Sequence, residues 1–518
     1  MEATEFDQGA APLVEALRAY RERHTVAFHT PGHKLGAGAP ADLIDALGGR
    51  FLAADMGIAN GLDDTQESGG LLRCAEDLAA AAWGARHSFF VPNGSSGGLQ
   101  ALVMAVAGPG EQVIVPRNAH KSLLAGLILS GAVPVFVEPT LDETWQVAVN
   151  VPLGRYAAAL EAHPGARALF VTSPSYNGFC ADVAGLAALA HAAGLPLVVD
   201  QAWGAHLRFA EALPPDAMAA GADAAVISVH KLLSGLSQAS VVLAAEGDRL
   251  DVERLRTMVT MLRTTSPLAP IYVSIDAARR QMVEHGQELW GAALRLAALA
   301  RERLAALPGV AVLDWNGAAR DAARAGAAHR AALADSVAAD AALAGAVDFD
   351  PVRLTISAAA LGIGGYELER ALRGRQAVAI EAADPHNIVA NITFGDSEAS
   401  VERLVTALAA IAEGASASGK KAATKVPPKL PLAGRQAVSP REAFFGARAA
   451  LPLVACAGRV SAEMVVPYPP GIPVLGPGEE ITAETIDYLR EAAASGVSIH
   501  GPRDLSLATL QVVEGGLV

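Results

Sequence analysis

A lysine and an aspartate stand at the ends of two apolar segments, in positions where they could share one cofactor. Asp200 follows the apolar residues 197–199, and Lys231, 31 residues later, follows the apolar residues 225–229. A lysine amine forms Schiff bases with carbonyl compounds, and a buried carboxylate keeps a pyridine nitrogen protonated so that the ring accepts electrons. This pair is how a protein holds pyridoxal phosphate (PLP). A lone lysine is more often a solvated cation, so the prediction depends on neighbouring motifs.

A turn rich in glycine and serine offers a place for a phosphate group. Residues 93–98 read NGSSGG, after the strand-like residues 88–91 and before the helical pattern 99–104. Small residues that open a helix expose backbone N–H groups and the hydroxyls of Ser95 and Ser96, and the helix dipole favours an anion there. Taken alone, such a segment is more often an ordinary turn.

A histidine follows another predicted strand. His120 lies in the segment 118–122 (NAHKS), between the strand-like residues 112–115 and a helical pattern at 123–129. Its flat imidazole could stack on a pyridine ring; the alternative is a solvated histidine at a helix start. In α/β sheets, ligands bind beyond the carboxyl ends of the strands, which is where Asp200 and Lys231 fall.

Together these segments resemble the Orn/Lys/Arg decarboxylases, the group III enzymes of PLP fold type I (aspartate-aminotransferase-like). The likeness is to the short form, which lacks the receiver-like N-terminal domain. It extends nearly end to end and is carried by 30–34 (TPGHK), 61–64 (GLDD), 93–96, 118–122, 172–178 (TSPSYNG), 228–233 (SVHKLL), 237–240 (SQAS), 458–464 (GRVSAEM), 467–473 (PYPPGIP) and 477–479 (PGE).

The resemblance implies a complete cofactor site. Lys231 would form the internal aldimine, Asp200 would pair with the pyridine nitrogen, and His120 and Ala202 would cover the two faces of the ring. Trp203 would border the cofactor, where some members carry Trp and the short ones usually carry His. The phosphate would be held by Ser95, Ser96, Ser228 and His230, joined by Thr264 and Thr265 of the neighbouring subunit.

The same resemblance implies decarboxylation of a basic amino acid through a quinonoid, with Lys231 or His230 returning the proton. Arginine is favoured over lysine and ornithine, and the amine product would belong to polyamine biosynthesis. Two departures concern the substrate: Gln201 and the stretch 453–456 (LVAC, containing Ala455) replace positions where members commonly carry acidic residues. Either Glu463 binds the distal cation of the substrate, or the substrate is different.

Two alternatives of other classes stay open. The first is a PLP enzyme of another reaction type, such as an aminotransferase, an eliminase or an oxidase. The second is a non-catalytic paralogue that serves as a binding or regulatory protein.

Composition fits an acidic enzyme of several domains. The 518 residues are 52% hydrophobic and 18% charged, enough for about three domains. A net charge of −14 disfavours nucleic acid as a partner. Three widely spaced cysteines predict neither disulfides nor a metal site, and the apolar run 123–137 is short of a membrane span. We expect a cytoplasmic homodimer, or a larger homo-oligomer, that acts on a small molecule at a subunit interface.

The pattern of predicted elements divides the chain into five parts. Alternating strands and helices predict a mainly parallel sheet. The expected parts are an N-terminal arm at 1–35, a PLP-binding major domain at 36–270, a small α+β domain at 271–414, a linker at 415–440 and the family's α+β C-terminal domain at 441–518.

Overall fold

The computed structural model describes residues 7–58, 62–63, 70–315, 345–418, 434–468, 471–494 and 497–517. Its helices are α1 Pro12–Glu22, α2 Ala41–Leu47, α3 Gly49–Leu52, α4 Leu71–Ala82, α5 Gly94–Val106, α6 Lys121–Ser130, α7 Leu153–Ala162, α8 Val183–Ala192, α9 Val229–Leu232, α10 Val252–Leu262, α11 Ala269–Ala305, α12 Gly365–Gln376, α13 Glu398–Ser418, α14 Pro440–Phe445 and α15 Ala483–Ala494.

Short strands alternate with these helices. They are β1 His87–Val91, β2 Gln112–Pro116, β3 Val133–Val137, β4 Leu141–Asp142, β5 Val147–Ala148, β6 Leu169–Thr172, β7 Phe179–Cys180, β8 Leu197–Asp200, β9 Ala224–Ser228, β10 Ser240–Ala244, β11 Ala311–Val312, β12 Asp348–Phe349, β13 Arg353–Ser357, β14 Ala382–Ala383, β15 Asn387–Asn391, β16 Arg448–Pro452, β17 Arg459–Ser461, β18 Val466–Tyr468, β19 Ser498–His500 and β20 Thr509–Leu517.

The chain forms two compact units that interleave along the sequence. The first unit comprises 1–105, 198–211 and 215–288, and the second comprises 106–197, 212–214 and 289–518. Because these units are not continuous segments, the five predicted domain boundaries stay predictions. Most of the predicted linker (419–433), part of the 61–64 motif and residues 469–470 of the 467–473 motif lie outside the described residues.

In the first unit, four strands lie in the order β1–β10–β9–β8. β8 and β9 are parallel, and Asp200 is paired with Val226. β10 runs antiparallel to both β9 and β1, so that Ser240 is paired with Ser228 on one side and with Val91 on the other. The carboxyl ends of β1, β8 and β9 therefore meet at one edge.

In the second unit, β6, β2 and β3 are neighbouring parallel strands. The strands β11, β13, β15 and β14 form an antiparallel sheet in that order; α12 connects β13 to β14, and α13 follows β15. Near the C-terminus, β16, β20 and β17 form a second antiparallel sheet and β18 pairs with β19. A parallel α/β part thus precedes two α+β parts, as the sequence predicts.

Several elements begin or end away from their predicted limits. Helix α11 begins at Ala269, just before the predicted start of the small domain at 271, with Pro270 in its first turn, where a missing N–H costs nothing. Helix α13 continues to Ser418, past the predicted start of the linker, because alanine favours a helix even beside Gly414. The apolar segment before Lys231 ends as a strand at Ser228, and Lys231 lies in the helical turn α9.

A buried ion pair fastens the N-terminal arm to α11 within the first unit. Asp276 and Arg279 are fully buried, with 3.0 Å between carboxylate and guanidinium. The second oxygen of Asp276 accepts the Leu13 N–H at 2.9 Å, and Arg279 donates to the carbonyls of Gln8 and Ala10. The first turn of α1 is therefore held by charge-assisted hydrogen bonds.

Among the described residues, no helix combines the length and apolar character needed to cross a membrane.

A second buried acid lies under β1. Glu76 is 3% exposed, and its carboxylate accepts the Phe90 N–H at 3.0 Å. Burial raises the pKa of Glu76 from 4.5 to about 7, although the Phe90 N–H and the Arg263 guanidinium, 3.9 Å away, both lower it. The folded protein therefore holds a proton on Glu76 at a pH where the unfolded chain has released it.

We expect the free energy of unfolding to fall as the pH rises from about 4.5 to 7, and then to level off. The unfolded chain loses the Glu76 proton first, so ionisation stabilises it relative to the folded state by up to roughly 3 kcal/mol. Glu76→Gln keeps an oxygen for the Phe90 N–H and should flatten this slope in chemical unfolding followed from pH 4.5 to 8. The exposed Glu253→Gln is the control; equal slopes in the wild type and Glu76→Gln would contradict the assignment.

Candidate active site

Asp200 ends strand β8, and Lys231 lies three residues after the end of the adjacent parallel strand β9, in the first unit. Burial raises the pKa of the Asp200 carboxyl above its ordinary value, while the positive charge of Lys231 and a 3.1 Å hydrogen bond from the Ala202 N–H lower it. Burial outweighs both, so the carboxylate is short of positive charge. A cation bound next to Asp200 would relieve that deficit.

The Lys231 ammonium lies over the indole of Trp203. The distance from Nζ to the ring centroid is 4.0 Å, which is close for a cation–π contact. Trp203 stands three residues after Asp200, in the turn that follows β8. The turn after β8 therefore contacts the lysine that follows β9.

Two predicted phosphate-binding serines are in contact. The Ser228 hydroxyl donates to the Ser95 hydroxyl at 2.8 Å. Helix α5 begins at Gly94, so Ser95 and Ser96 lie in its first turn instead of in a preceding loop. Backbone N–H groups of a first helical turn lack partners inside the helix and favour an anion.

A glycine brings α5 close to the sheet. A Cβ on Gly98 would lie 2.8 Å from a methyl group of Val226 on β9 and 2.8 Å from one of Val242 on β10. Such a distance is shorter than real side chains allow, so this approach of α5 to the two strands requires a residue without a side chain. The same approach sets Ser95 beside Ser228.

The tautomer of His230 follows from its hydrogen bond. Nδ1 is 2.8 Å from the Ala239 carbonyl, which can only accept, so Nδ1 carries a proton. Proton exchange then takes place at Nε2.

His120 caps helix α6 in the second unit. Its Nδ1 accepts the Ser122 N–H at 3.2 Å and is 2.7 Å from the Ser122 hydroxyl. Since Nδ1 is the acceptor, the neutral ring carries its proton on Nε2.

Thr264 and Thr265 are exposed in the loop after α10. The Thr264 hydroxyl accepts the Ser266 N–H at 3.2 Å. The preceding Arg263 donates to the Phe90 carbonyl at 3.4 Å and so anchors the loop to β1. The sequence alone did not identify this arginine as an anchor.

Comparisons with known proteins give the chain its family. Residues 11–400 match the family described as "Orn/Lys/Arg decarboxylase, major domain", and residues 421–501 match its C-terminal domain. The chain belongs to the Orn/Lys/Arg decarboxylases. The predicted family, the predicted PLP fold type I and the predicted amino acid decarboxylase activity are thereby confirmed.

Two relatives and one solved structure illustrate the match. The arginine decarboxylase of Halalkalibacterium halodurans is 36% identical over 98% of both chains, and that of Bacillus subtilis is 36% identical over 98% of this chain and 99% of its own. The structure of the E. coli constitutive lysine decarboxylase superposes with a TM-score of 0.79 at 21% identity, over 98% of this chain and 82% of that one; it is similar in fold.

Gln201, a departure from the decarboxylase pattern, has a local role. Its amide nitrogen donates to the Gly204 carbonyl at 3.1 Å and its oxygen accepts the Ala217 N–H at 2.6 Å. An amide serves both contacts, whereas a carboxylate can only accept. The turn that carries Trp203 therefore uses the amide.

Glu463 is buried and bonded to its own part of the chain. It is 5% exposed, and its two oxygens accept the N–H groups of Arg503 and Gln511, each at 2.8 Å. The Gln511 contact joins the residues after β17 to β20, and the Arg503 contact joins them to the loop before β20. Each oxygen keeps a further acceptor position, so the expectation that Glu463 binds the distal cation of the substrate stays a prediction. Ala455 is exposed in a short turn at 453–455 and brings no charge.

We expect Gln201→Glu to destabilise the protein by about 3 kcal/mol, because it buries a charge and leaves the Gly204 carbonyl without its donor. The melting temperature at pH 7 is the measurement. Gln287→Glu is the matched control. Gln287 is exposed, and its side-chain oxygen accepts the Glu211 N–H, a bond that a glutamate carboxylate can keep. Equal melting temperatures for the two variants would contradict the role of Gln201.

Proposed function

We propose that this chain is a PLP-dependent decarboxylase of a basic amino acid, with arginine as its preferred substrate. The observation that carries the proposal is the buried Asp200 beside Lys231 and Trp203, in a chain 36% identical over nearly its full length to proteins named arginine decarboxylase. The products would be the corresponding amine and CO₂.

The donor set of the first unit fits PLP. Asp200 would pair with a protonated ring nitrogen, the positive charge that its buried carboxylate is short of. Lys231 would supply the amine, and Ala202 would pack against the ring. The phosphate would be bound by Ser95 and Ser96 at the start of α5, Ser228 at the end of β9 and His230 in α9. His120 of the second unit is the proposed stacking residue for the other face of the ring.

The cofactor, when bound, supplies an acceptor for the electron pair that remains on Cα as CO₂ leaves. The residues of the protein position the charges and protons that act while CO₂ leaves. Asp200 keeps a negative charge fixed next to the ring nitrogen, where water would screen it poorly. Trp203 holds the Lys231 Nζ within 4.0 Å of its ring, which limits the positions from which the amine reacts.

Two groups are candidates to deliver the proton that Cα gains. One is the Lys231 ammonium, and the other is His230 through Nε2, because Nδ1 is bound to the Ala239 carbonyl. A His230 that donates through Nε2 must be the imidazolium, so this route would weaken as the pH rises.

We further propose a homodimer in which each subunit completes the other's site. Thr264 and Thr265 are exposed, and the Thr264 hydroxyl bonds locally, to Ser266. The same unit exposes apolar side chains, among them Phe28 at 93%, Val26 at 75% and Met261 at 66%, and α2 has no buried residue. A partner subunit would bury such surface. The cytoplasmic location stays a prediction.

Lys231→Ala should abolish the visible absorbance band of protein-bound PLP, because the amine that binds the cofactor covalently is gone. Asp200→Ala should retain some PLP but lower turnover by about 10³-fold, since the ring nitrogen loses its charge partner. Lys34→Ala, which removes a lysine bonded to the His29 carbonyl, is the control. The rates of CO₂ release from arginine, lysine and ornithine identify the preferred substrate. Ammonia or a keto acid as the product would contradict decarboxylation.

A mixture of two inactive variants should recover activity if the site is shared. Lys231→Ala supplies intact threonines, and Thr264→Ala/Thr265→Ala supplies an intact lysine, so a mixed dimer has one complete site. After unfolding and refolding together, we expect about a quarter of wild-type activity. Recovery no greater than the sum of the two separate variants would argue against threonines acting across the interface.

A further inference from the structure

The strand end that carries His120 is held by a segment more than 340 residues away in sequence. We call the described residues 465–468 and 471–479 the clamp segment. Arg117, at the end of β2, donates to both carboxylate oxygens of Glu479, at 2.9 and 3.0 Å, and to the Val474 carbonyl at 2.7 Å. All of these residues belong to the second unit.

This ion pair is deeply buried. The exposed fractions are 8% for Arg117 and 1% for Glu479. A bidentate arginine–carboxylate pair is rigid as well as strong, and breaking it would leave a buried charge without a partner. The backbone three residues before His120 therefore has little freedom.

The other side of His120 is held as well. The Lys121 N–H donates to the Gly471 carbonyl at 3.0 Å, and the Lys121 ammonium lies 5.2 Å from the centroid of the Tyr468 ring. Tyr468 in turn stacks on His500, with 4.7 Å between the ring centroids. The clamp segment thus contacts the residues on both sides of His120.

Gly471 lies next to the imidazole itself. A Cβ at this position would lie 3.2 Å from Cδ2 and 3.3 Å from Nε2 of His120, so the ring would have to move by a few tenths of an ångström. The φ of Gly471 is +92°, which L-residues with side chains rarely adopt. The opposite edge of the ring is fixed by the bonds of Nδ1 to Ser122. The imidazole is therefore confined in its own plane.

We propose that Gly471 and the clamp segment are positioning elements that set the position of the His120 imidazole, whose tautomer is set by Ser122. The proposal rests on the proposed function only in taking His120 as the residue that stacks on the cofactor. Gly471 is a positioning residue and not a catalytic one. The clamp segment would thereby tune cofactor binding through the histidine.

The test compares two glycine substitutions at positive φ. Gly471→Ala adds a methyl group against His120, whereas Gly458→Ala adds one at φ +71° with no atom within 4 Å. Both should lower the melting temperature through backbone strain. Only Gly471→Ala should weaken PLP binding, by about fivefold to tenfold for a displaced stacked ring, and shift its absorbance band. Equal PLP affinity and equal bands for both variants would overturn the proposal.

Two further measurements keep the result decisive. If Gly471→Ala does not fold, Tyr468→Leu replaces it, because Tyr468 is 40% exposed and its ring lies beside Gly471. We expect Tyr468→Leu to weaken PLP binding by less than Gly471→Ala does. Unchanged PLP binding would contradict the role of the clamp segment. If the wild type binds no PLP, the proposed function fails. In that case histidine-labelled NMR of the protein without PLP decides: the Nε2 resonance of His120, assigned with His120→Gln, should move in Gly471→Ala and stay in place in Gly458→Ala.

Discussion

The burial of the Asp200 carboxylate is the constraint on which the active site depends. A carboxylate in a dry position is stable only next to positive charge or hydrogen-bond donors. Asp200 has the Ala202 N–H and the Lys231 charge, and burial still raises its pKa. The neighbouring donors and charge therefore do not fully offset the loss of hydration at Asp200, and a cationic group bound beside it, as proposed for the ring nitrogen of PLP, would stabilise the carboxylate.

The fold of the first unit serves this constraint through strand direction. Because β8 and β9 are parallel, Asp200 and the chain that leads to Lys231 leave the sheet at one edge. Because β1 and β10 are antiparallel, the start of α5 reaches the same edge. Ser95 meets Ser228 there, and Trp203 meets Lys231. Among these four strands only β10 runs in the opposite direction. Three segments far apart in sequence therefore meet at one edge: the start of α5, the turn after β8 and helix α9.

Much of this could be predicted from local pattern, because apolar runs that end in Asp, Ser or Lys mark buried strands and their ends. The contacts that could not be predicted join residues that are not neighbours in the sequence. Gln201 bonds the Ala217 N–H, 16 residues away, and Glu463 bonds the Gln511 N–H, 48 residues away. Arg117 and Glu479 are 362 residues apart. No spacing rule links such residues, since only the folded chain brings them into contact.

Gly98, near the start of α5, limits which substitutions the neighbouring strands β9 and β10 can undergo. A methyl group there would meet Val226 and Val242 together, so position 98 can enlarge only after both valines have become smaller. The order of the substitutions is then constrained: smaller residues on β9 and β10 come first and open a void, and alanine at 98 fills it. These three positions are expected to change in concert among related chains, and to do so through an intermediate less stable than either end point.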